Sequence, residues 1–164
     1  MKAKKILRFL PMALLVVSLS SCGGKPAAMG DIPVFPGAVE LTAGTSSVAD
    51  TLSQNEKTDA AMRQALNSGG KIEQRAWRLP DGAAWPEVKS FYEEKLKATG
   101  WQSGIGGLGG GFVDVNKMME AANQSNPMSQ TVLFTQGKQS LTLIMLALPG
   151  SKDGKQLIAS LATN

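Results

Sequence analysis

The strongest helix signal in this chain is the segment PEVKSFYEEKLKATGW, residues 86–101. Pro86 presets a helical backbone at the first position, and Gly100 is a typical C-terminal stop after which Trp101 is expected to pack back on the helix. Apolar side chains recur at helical spacing between them, at Val88, Phe91, Tyr92 and Leu96. The pattern predicts an amphipathic helix ending at Thr99 whose aromatic side chains belong to the core.

Alternating segments on both sides of this helix predict strands. They are Ala38–Thr42, Lys71–Leu79, Gln130–Gln136, Gln139–Leu148 and Lys155–Ala162, the last with a helix as the alternative. Gly137-Lys138 joins the third and fourth strands in a hairpin. The fourth is apolar on both faces from Leu143 to Leu148, so it is expected to be a central strand covered on both sides or to line a partner surface.

A further helix is predicted ahead of the second strand. Ser53-Gln54-Asn55-Glu56 has the spacing of a capping box, and Ser68-Gly69-Gly70 is a stop signal. Met62, Ala65 and Leu66 supply its expected apolar face. Together these elements predict an α+β fold, a small antiparallel sheet packed by two or three helices, in a single domain at residues 32–164.

Residue types argue against catalysis. The chain contains no histidine and one cysteine, Cys22. The lack of histidine excludes His-based triads, His general bases and His-ligated metal sites. The carboxylates are scattered in turn or cap contexts, at Asp31, Glu40, Asp50, Asp81 and Asp114. We therefore expect a protein that is not an enzyme and holds no cofactor or metal.

Residues 1–21 have the organisation of a secretory signal peptide. Lys2, Lys4, Lys5 and Arg8 precede an apolar run of eleven residues from Phe9 to Leu19. That run is too short to span a bilayer, which takes about 20 residues. The signal holds four of the seventeen Lys and Arg residues and none of the thirteen Asp and Glu residues. Its removal leaves no net charge, so composition gives no indication of nucleic-acid binding.

The tetrapeptide Leu19-Ser20-Ser21-Cys22 resembles the lipobox of bacterial lipoproteins. The resemblance implies cleavage before Cys22, a diacylglyceryl group on its sulfur, and a membrane anchor on the extracytoplasmic side. If the host has two membranes, Gly23 resembles lipoproteins exported to the outer membrane, facing the periplasm. Residues 22–31 are rich in Gly, Ala and Pro and are expected to form a flexible tether.

A second resemblance involves the domain itself. Pro36-Gly37-Ala38, a strand, the Phe91-Tyr92 helix closed by Gly100-Trp101, and a hairpin resemble small uncharacterised α+β domains of bacterial envelope proteins. This similarity covers roughly residues 32–148 and carries no catalytic residues across. In that pattern a short connection follows Gly-Trp, whereas here residues 104–127 are inserted.

The insertion is the candidate interaction site. Val115, Met118, Met119 and Ala122 recur at helical spacing before Asn126-Pro127 ends the helix. Such a stripe either packs on its own core or offers adaptable Met-rich surface to a partner or the bilayer. A third interpretation is that Met118, Met119 and Met128 ligate reduced copper. The candidate surface comprises Ile105, Leu108, Phe112, Val115, Met118 and Met119.

Residues 104–109, GIGGLG, also match the dinucleotide fingerprint GxGxxG. That motif requires a buried strand directly before it within a βαβ unit. Here a helix end precedes it instead, so the sequence favours a loop.

These observations predict a lipid-anchored, non-catalytic lipoprotein of the cell envelope that contacts an envelope protein or another envelope component. The alternative is a carrier of a small apolar ligand, in the periplasm or at the cell surface, with a cavity between helix and sheet.

Overall fold

The structure is a computed structural model that describes residues 26–104 and 115–163, without the side chains of residues 115 and 116. A short 3₁₀ turn at Met29–Asp31 precedes nine elements. In chain order they are β1 (Val39–Leu41), α1 (Ser47–Ala65), β2 (Lys71–Arg78), α2 (Trp85–Lys97), β3 (Gln102–Ser103), α3 (Val115–Ser125), β4 (Ser129–Gln136), β5 (Gln139–Leu146) and β6 (Gln156–Thr163). Among these residues no helix is both long and apolar enough to cross a membrane.

The six strands form one antiparallel sheet in the order β1-β2-β6-β5-β4-β3. The predicted α+β class, with a small antiparallel sheet and helices in one domain, is confirmed. The last strand, β6, resolves the open alternative at residues 155–162 in favour of a strand.

The core lies between α2 and one face of the sheet, where three residues of the predicted stripe of α2 are buried and the fourth, Phe91, is half-buried at the margin. Tyr92 and Val88 are fully buried, and Leu96 is 1% exposed. Alternate residues of β4, β5 and β6 meet them, and six of these residues are at most 1% exposed: Phe134, Leu141, Leu143, Leu157, Ala159 and Leu161. Helix α2 ends at Lys97, two residues before the predicted end at Thr99, and the predicted glycine stop follows it. Gly100 has φ +91°, and the Trp101 amide donates to the Leu96 carbonyl at 3.1 Å.

The opposite side of the sheet, here called the second face, differs in its exposure. Register places twelve residues of β4, β5 and β6 on it. Gln156 is 2% exposed, and the other eleven are half-buried: Ser129, Thr131, Leu133, Thr135, Ser140, Thr142, Ile144, Leu146, Ile158, Ser160 and Ala162. The expectation that β5 is covered on both sides is therefore wrong for these positions. Leu143 is fully buried, but its neighbours Thr142 and Ile144 are not.

Helix α1 lies along β2 and begins earlier than the sequence predicted. Ser46 is its N-cap, accepting a 3.5 Å hydrogen bond from the Ala49 amide, so the predicted capping box at Ser53 lies inside the helix. The predicted apolar face is also wrong, since Met62 is 59% and Leu66 71% exposed.

The side of α1 that faces the sheet is mostly polar, and it accepts a hydrogen bond from the edge of the sheet. Glu56 accepts a hydrogen bond from the backbone amide of Gln74 in β2, at the part of that strand that β1 does not cover. At the other edge, the side chain of Asn123 in α3 accepts from the Thr131 amide at 2.7 Å and donates to its carbonyl at 2.8 Å. Both helices thus satisfy strand-edge groups that are otherwise open to intermolecular pairing.

The domain begins before the predicted boundary at Ile32. Ala27 exchanges two 2.8 Å hydrogen bonds with the side chain of Gln139, and Met29 is buried at 2% exposure. Residues 27–31 therefore belong to the folded domain, although the sequence predicted them to be tether. Periodicity did not reveal these residues, because the side chains of Gln139 and Asp31 hold them instead of a regular strand or helix.

Candidate functional site

The inserted helix α3 lies beside α2 across a groove, here called the α2–α3 groove. Two adjoining cavities of about 230 Å³ each form it, and both are lined by Lys89, Glu120 and Asn123. The first cavity adds Trp85, Pro86, Gln124 and Gln130, and the second adds Glu93, Ser103, Met119, Thr131 and Val132. The groove therefore combines apolar side chains with both signs of charge.

Lys89 is the charged centre of the groove. Its ammonium nitrogen lies 3.8 Å from a carboxylate oxygen of Glu93 on the same helix and 4.0 Å from one of Glu120 on α3. Because all three side chains are at least one-third exposed, these pairs contribute little to stability. The Asn123 hydrogen bonds to β4 hold α3 more firmly, since amide pairing to a strand is directional.

The predicted interaction surface is only partly within the described residues. Met118 is 61% exposed, and Met119 is half-buried in the groove. Val115 begins α3, and its side chain is outside the description. Ile105, Leu108 and Phe112 lie outside the described residues, as do Asp114 and most of the GxGxxG segment.

None of the side chains described on α3 is buried. Over residues 117–125, the reading in which this stripe packs into the core is therefore not supported, and Met118 faces outward. The sequence did not single out Lys89, Glu93 or Asn123 as site residues. The first two form an ordinary i,i+4 pair on a helix surface, and the role of Asn123 depends on a strand edge that only the fold brings close.

A second groove of about 450 Å³ lies between α1 and β2. Charged side chains dominate its lining, and several are paired with one another. A guanidinium nitrogen of Arg63 lies 2.7 Å from a carboxylate oxygen of Asp59, and the ammonium nitrogen of Lys71 lies 3.1 Å from a carboxylate oxygen of Glu73. Arg63 also donates a hydrogen bond to the Gly69 carbonyl. These groups are already satisfied, and their charge is unsuited to a small apolar ligand.

The chemistry available in the described residues is limited. They contain no cluster of three or more Asp, Glu, Cys or His side chains that could hold a metal ion. Burial raises the pKa of Tyr92 to about 12, and the Phe35 backbone amide opposes this shift without cancelling it. Such a phenol is a poor general base at neutral pH. Asp31 and Asp50 accept backbone amide hydrogens from Ala28 and Gly44, as expected of capping groups.

Cys22 and the rest of the lipobox lie outside the described residues. Comparison with known proteins gave no matching family model, no matching curated protein and no matching solved structure. The resemblances to lipoproteins and to envelope domains therefore stay predictions from the sequence.

Proposed function

We propose that this protein is a lipid-anchored, non-catalytic lipoprotein of the cell envelope that binds another envelope protein through α3 and the α2–α3 groove. The lipobox places acylated Cys22 in the membrane on the extracytoplasmic side, with the outer membrane favoured in a host that has two. The single observation that supports the contact surface is the exposure of α3, an amphipathic helix that buries none of its described side chains.

Helix α3 is held in place by polar contacts although it contributes little to the core. The insertion adds little to the core, yet Asn123 fixes α3 in place and Met118 points outward. Methionine packs against irregular surfaces, and the charges at Lys89 and Glu120 provide orientation at the rim. Asn123 and the half-buried Met119 hold one side of α3, and the exposed Met118 leaves an apolar group open to a protein partner.

The core favours this proposal over the carrier. A carrier needs an apolar cavity between helix and sheet. In that position Tyr92, Phe134 and Leu141 are at most 1% exposed and belong to one continuous cluster. The two grooves described above open at the surface and are lined by charged groups.

Site-specific crosslinking in native membranes tests the proposal. A photoreactive residue in place of Gln124, which lines the groove, is expected to give a discrete crosslinked protein. Met118→Asp should remove that product, because a carboxylate is costly in an apolar interface. Val39→Asp is the control, since Val39 is 53% and Met118 61% exposed, and Val39 lies on the edge strand β1 at the other side of the sheet. Equal crosslinking in wild type and Met118→Asp would contradict the proposed surface.

The anchor is tested in the same cells with Cys22→Ala. This variant should lose acyl labelling and leave the membrane fraction, since stable anchoring requires acyl chains. Met118→Asp should keep both properties, which separates loss of the anchor from loss of the contact. A Cys22→Ala protein that is still acylated and membrane-bound would sink the lipoprotein assignment.

A further inference from the structure

The strands and helices run between two ends of the domain. The chain enters at one end, here called the tether end, and the opposite end is here called the far end. At the tether end, Lys71 pairs with Thr163, Thr163 with Gln139, and Gln139 with Gln136 across neighbouring strands. Gln139 is also the residue that binds Ala27. The entering chain is therefore fixed in the middle of this edge of the sheet.

The C-termini of two helices lie at the same end. The side chain of Gln136 donates to the Thr99 carbonyl just after α2. Helix α1 is followed directly by residues 66–70 and then by Lys71. At the far end lie the β5–β6 turn and the N-termini of α1 and α2, because Ser46 donates to Asp153 and Lys155 donates to the Ala83 carbonyl.

The two ends differ in charge. Residues 62–71, 95–100 and 136–139, which lie at the tether end, contain five cations and no carboxylate: Arg63, Lys71, Lys95, Lys97 and Lys138. The entering chain adds one carboxylate, Asp31, which accepts a hydrogen bond from the Ala28 amide. Flanking carboxylates pair with three of the cations, whereas Lys97 and Lys138 are exposed with no described carboxylate within 4.0 Å. The far end carries charges of both signs, with three carboxylates, Asp50, Asp81 and Asp153, and three cations, Arg78, Lys152 and Lys155.

The tether end also exposes apolar side chains. Leu66 is 71% and Met62 59% exposed, one turn apart at the end of α1. Cations beside exposed Leu and Met side chains are the composition of surfaces that rest on anionic lipid. Lys25, in the segment that leads to Ala27, adds another cation.

The domain can stand on the bilayer with either the tether end or the far end at the membrane. The length of the tether distinguishes these two orientations. Four residues lie between Cys22 and Ala27, and the five steps along the chain reach roughly 17 Å at about 3.3–3.6 Å per residue. An eight-residue strand such as β5 is about 26 Å long at about 3.3 Å per residue. If the far end touched the bilayer, Ala27 would lie beyond the reach of a lipidated Cys22. The inverted orientation is excluded for an anchored chain.

We propose that the tether end of the domain lies against the anionic phospholipid headgroups of the membrane that holds Cys22, with Lys97, Lys138, Met62 and Leu66 at the contact. The far end then points away from the bilayer, and α3 stands at the side, open to a partner. This inference rests on the proposed lipid anchor at Cys22.

Depth-dependent quenching tests this orientation. The purified full-length lipoprotein is inserted into phosphatidylethanolamine–phosphatidylglycerol vesicles that contain a headgroup-nitroxide lipid. A fluorophore is attached through Ser68→Cys at the tether end or Lys152→Cys at the far end, both exposed sites. Acylation blocks Cys22, so each variant carries one label. Quenching should be several times stronger at position 68 than at position 152.

The charge contribution is measured in the same vesicles. Lys97→Gln and Lys138→Gln should each weaken the contact roughly fivefold, the effect of one cation near an anionic surface. Lys152→Gln in the Ser68→Cys background is the control and should leave quenching unchanged. High salt or replacement of the anionic lipid by phosphatidylcholine should reduce quenching at position 68.

Equal quenching at the two positions, or stronger quenching at position 152, overturns the orientation. Mass analysis of the Cys22 peptide separates the two proposals. An acylated Cys22 without preferential quenching at position 68 refutes only the orientation. An unmodified Cys22 refutes the anchor and the orientation with it.

Discussion

At the scale of single residues, the least expected group is the hydroxyl of Tyr92. The side chain is fully buried, and its oxygen makes no hydrogen bond of regular geometry; the Phe35 backbone amide compensates its burial only in part. Its ring makes an edge contact with Phe91, 5.1 Å between centroids, and Phe91 in turn meets Phe35 at 5.4 Å. The ring is therefore well packed while its polar atom is poorly satisfied, a combination that costs stability.

The titration of Tyr92 follows from this environment. Burial favours the neutral phenol, so the pKa rises from 10.0 to about 12. Below pH 10 the phenol is neutral in both states and folding is unaffected. As pH rises toward 12 the unfolded chain ionises first, so the stability contribution is lost through that window. The chain has one tyrosine, so phenolate absorbance reports on it alone.

We expect the folded protein to show its phenolate midpoint near pH 12 and the denatured chain near pH 10. Tyr92→Phe should raise the free energy of unfolding by up to about 1 kcal/mol, since it removes a buried, poorly satisfied polar atom without creating a cavity. It should also remove the stability loss in that alkaline window. A folded-state midpoint near pH 10 would show that the hydroxyl is solvated.

At the scale of elements, α1 shows how a helix end is chosen. Ser46 and Ser53 both precede helix-forming residues, but the structure places the N-cap at Ser46. Ser46 also donates a 2.8 Å hydrogen bond to Asp153 in the β5–β6 turn. A tertiary contact therefore stabilises the earlier start, while the Ser53 spacing lies within the helix.

Two matched substitutions test this boundary. Ser46→Ala should lower the free energy of unfolding by about 1 kcal/mol, since it removes a helix cap. Ser53→Ala should be neutral or slightly stabilising, because alanine is the better residue inside a helix. Urea unfolding of both variants gives the comparison. A larger loss from Ser53→Ala would place the helix start where the sequence predicted it.

At the scale of the whole molecule, the sheet is buried on one face and half-open on the other. The 24 residues of β4, β5 and β6 include no charged side chain. On the core face, this follows from burial against α2. On the second face it leaves Ile144, Leu146 and Ile158 half-buried among Ser and Thr. Such a face stays soluble because its apolar groups are interrupted by hydroxyls.

Adjacent residues of β5 distinguish the two faces. Leu143→Lys should prevent folding or destabilise the domain by more than about 4 kcal/mol, since it buries an unpaired charge. Thr142→Lys should change stability by less than about 0.5 kcal/mol, as for other open positions. Thermal unfolding of the two variants provides the measurement. If Thr142→Lys also unfolds the domain, the second face is covered in the intact protein.

Local sequence was sufficient for several features because their causes lie within a few residues. The glycine stop after α2 required only a residue at position 100 that tolerates φ +91°. The β4–β5 hairpin and the buried stripe of α2 followed from turn chemistry and periodicity. The lipobox likewise depends on four consecutive residues, and it provides the prediction of location.

Tertiary structure decided what depends on contacts between distant residues. Asn123 meets Thr131 and Ala27 meets Gln139 only after the sheet has formed. These contacts fix α3 as an exposed helix and shorten the tether, and the hydrogen bond from Gln136 to the Thr99 carbonyl brings Lys97 and Lys138 to one end. Periodicity reports which side chains can share a face, but not which face another part of the chain will cover. The outward stripe of α3 and the two distinct ends of the domain are therefore properties of the folded molecule.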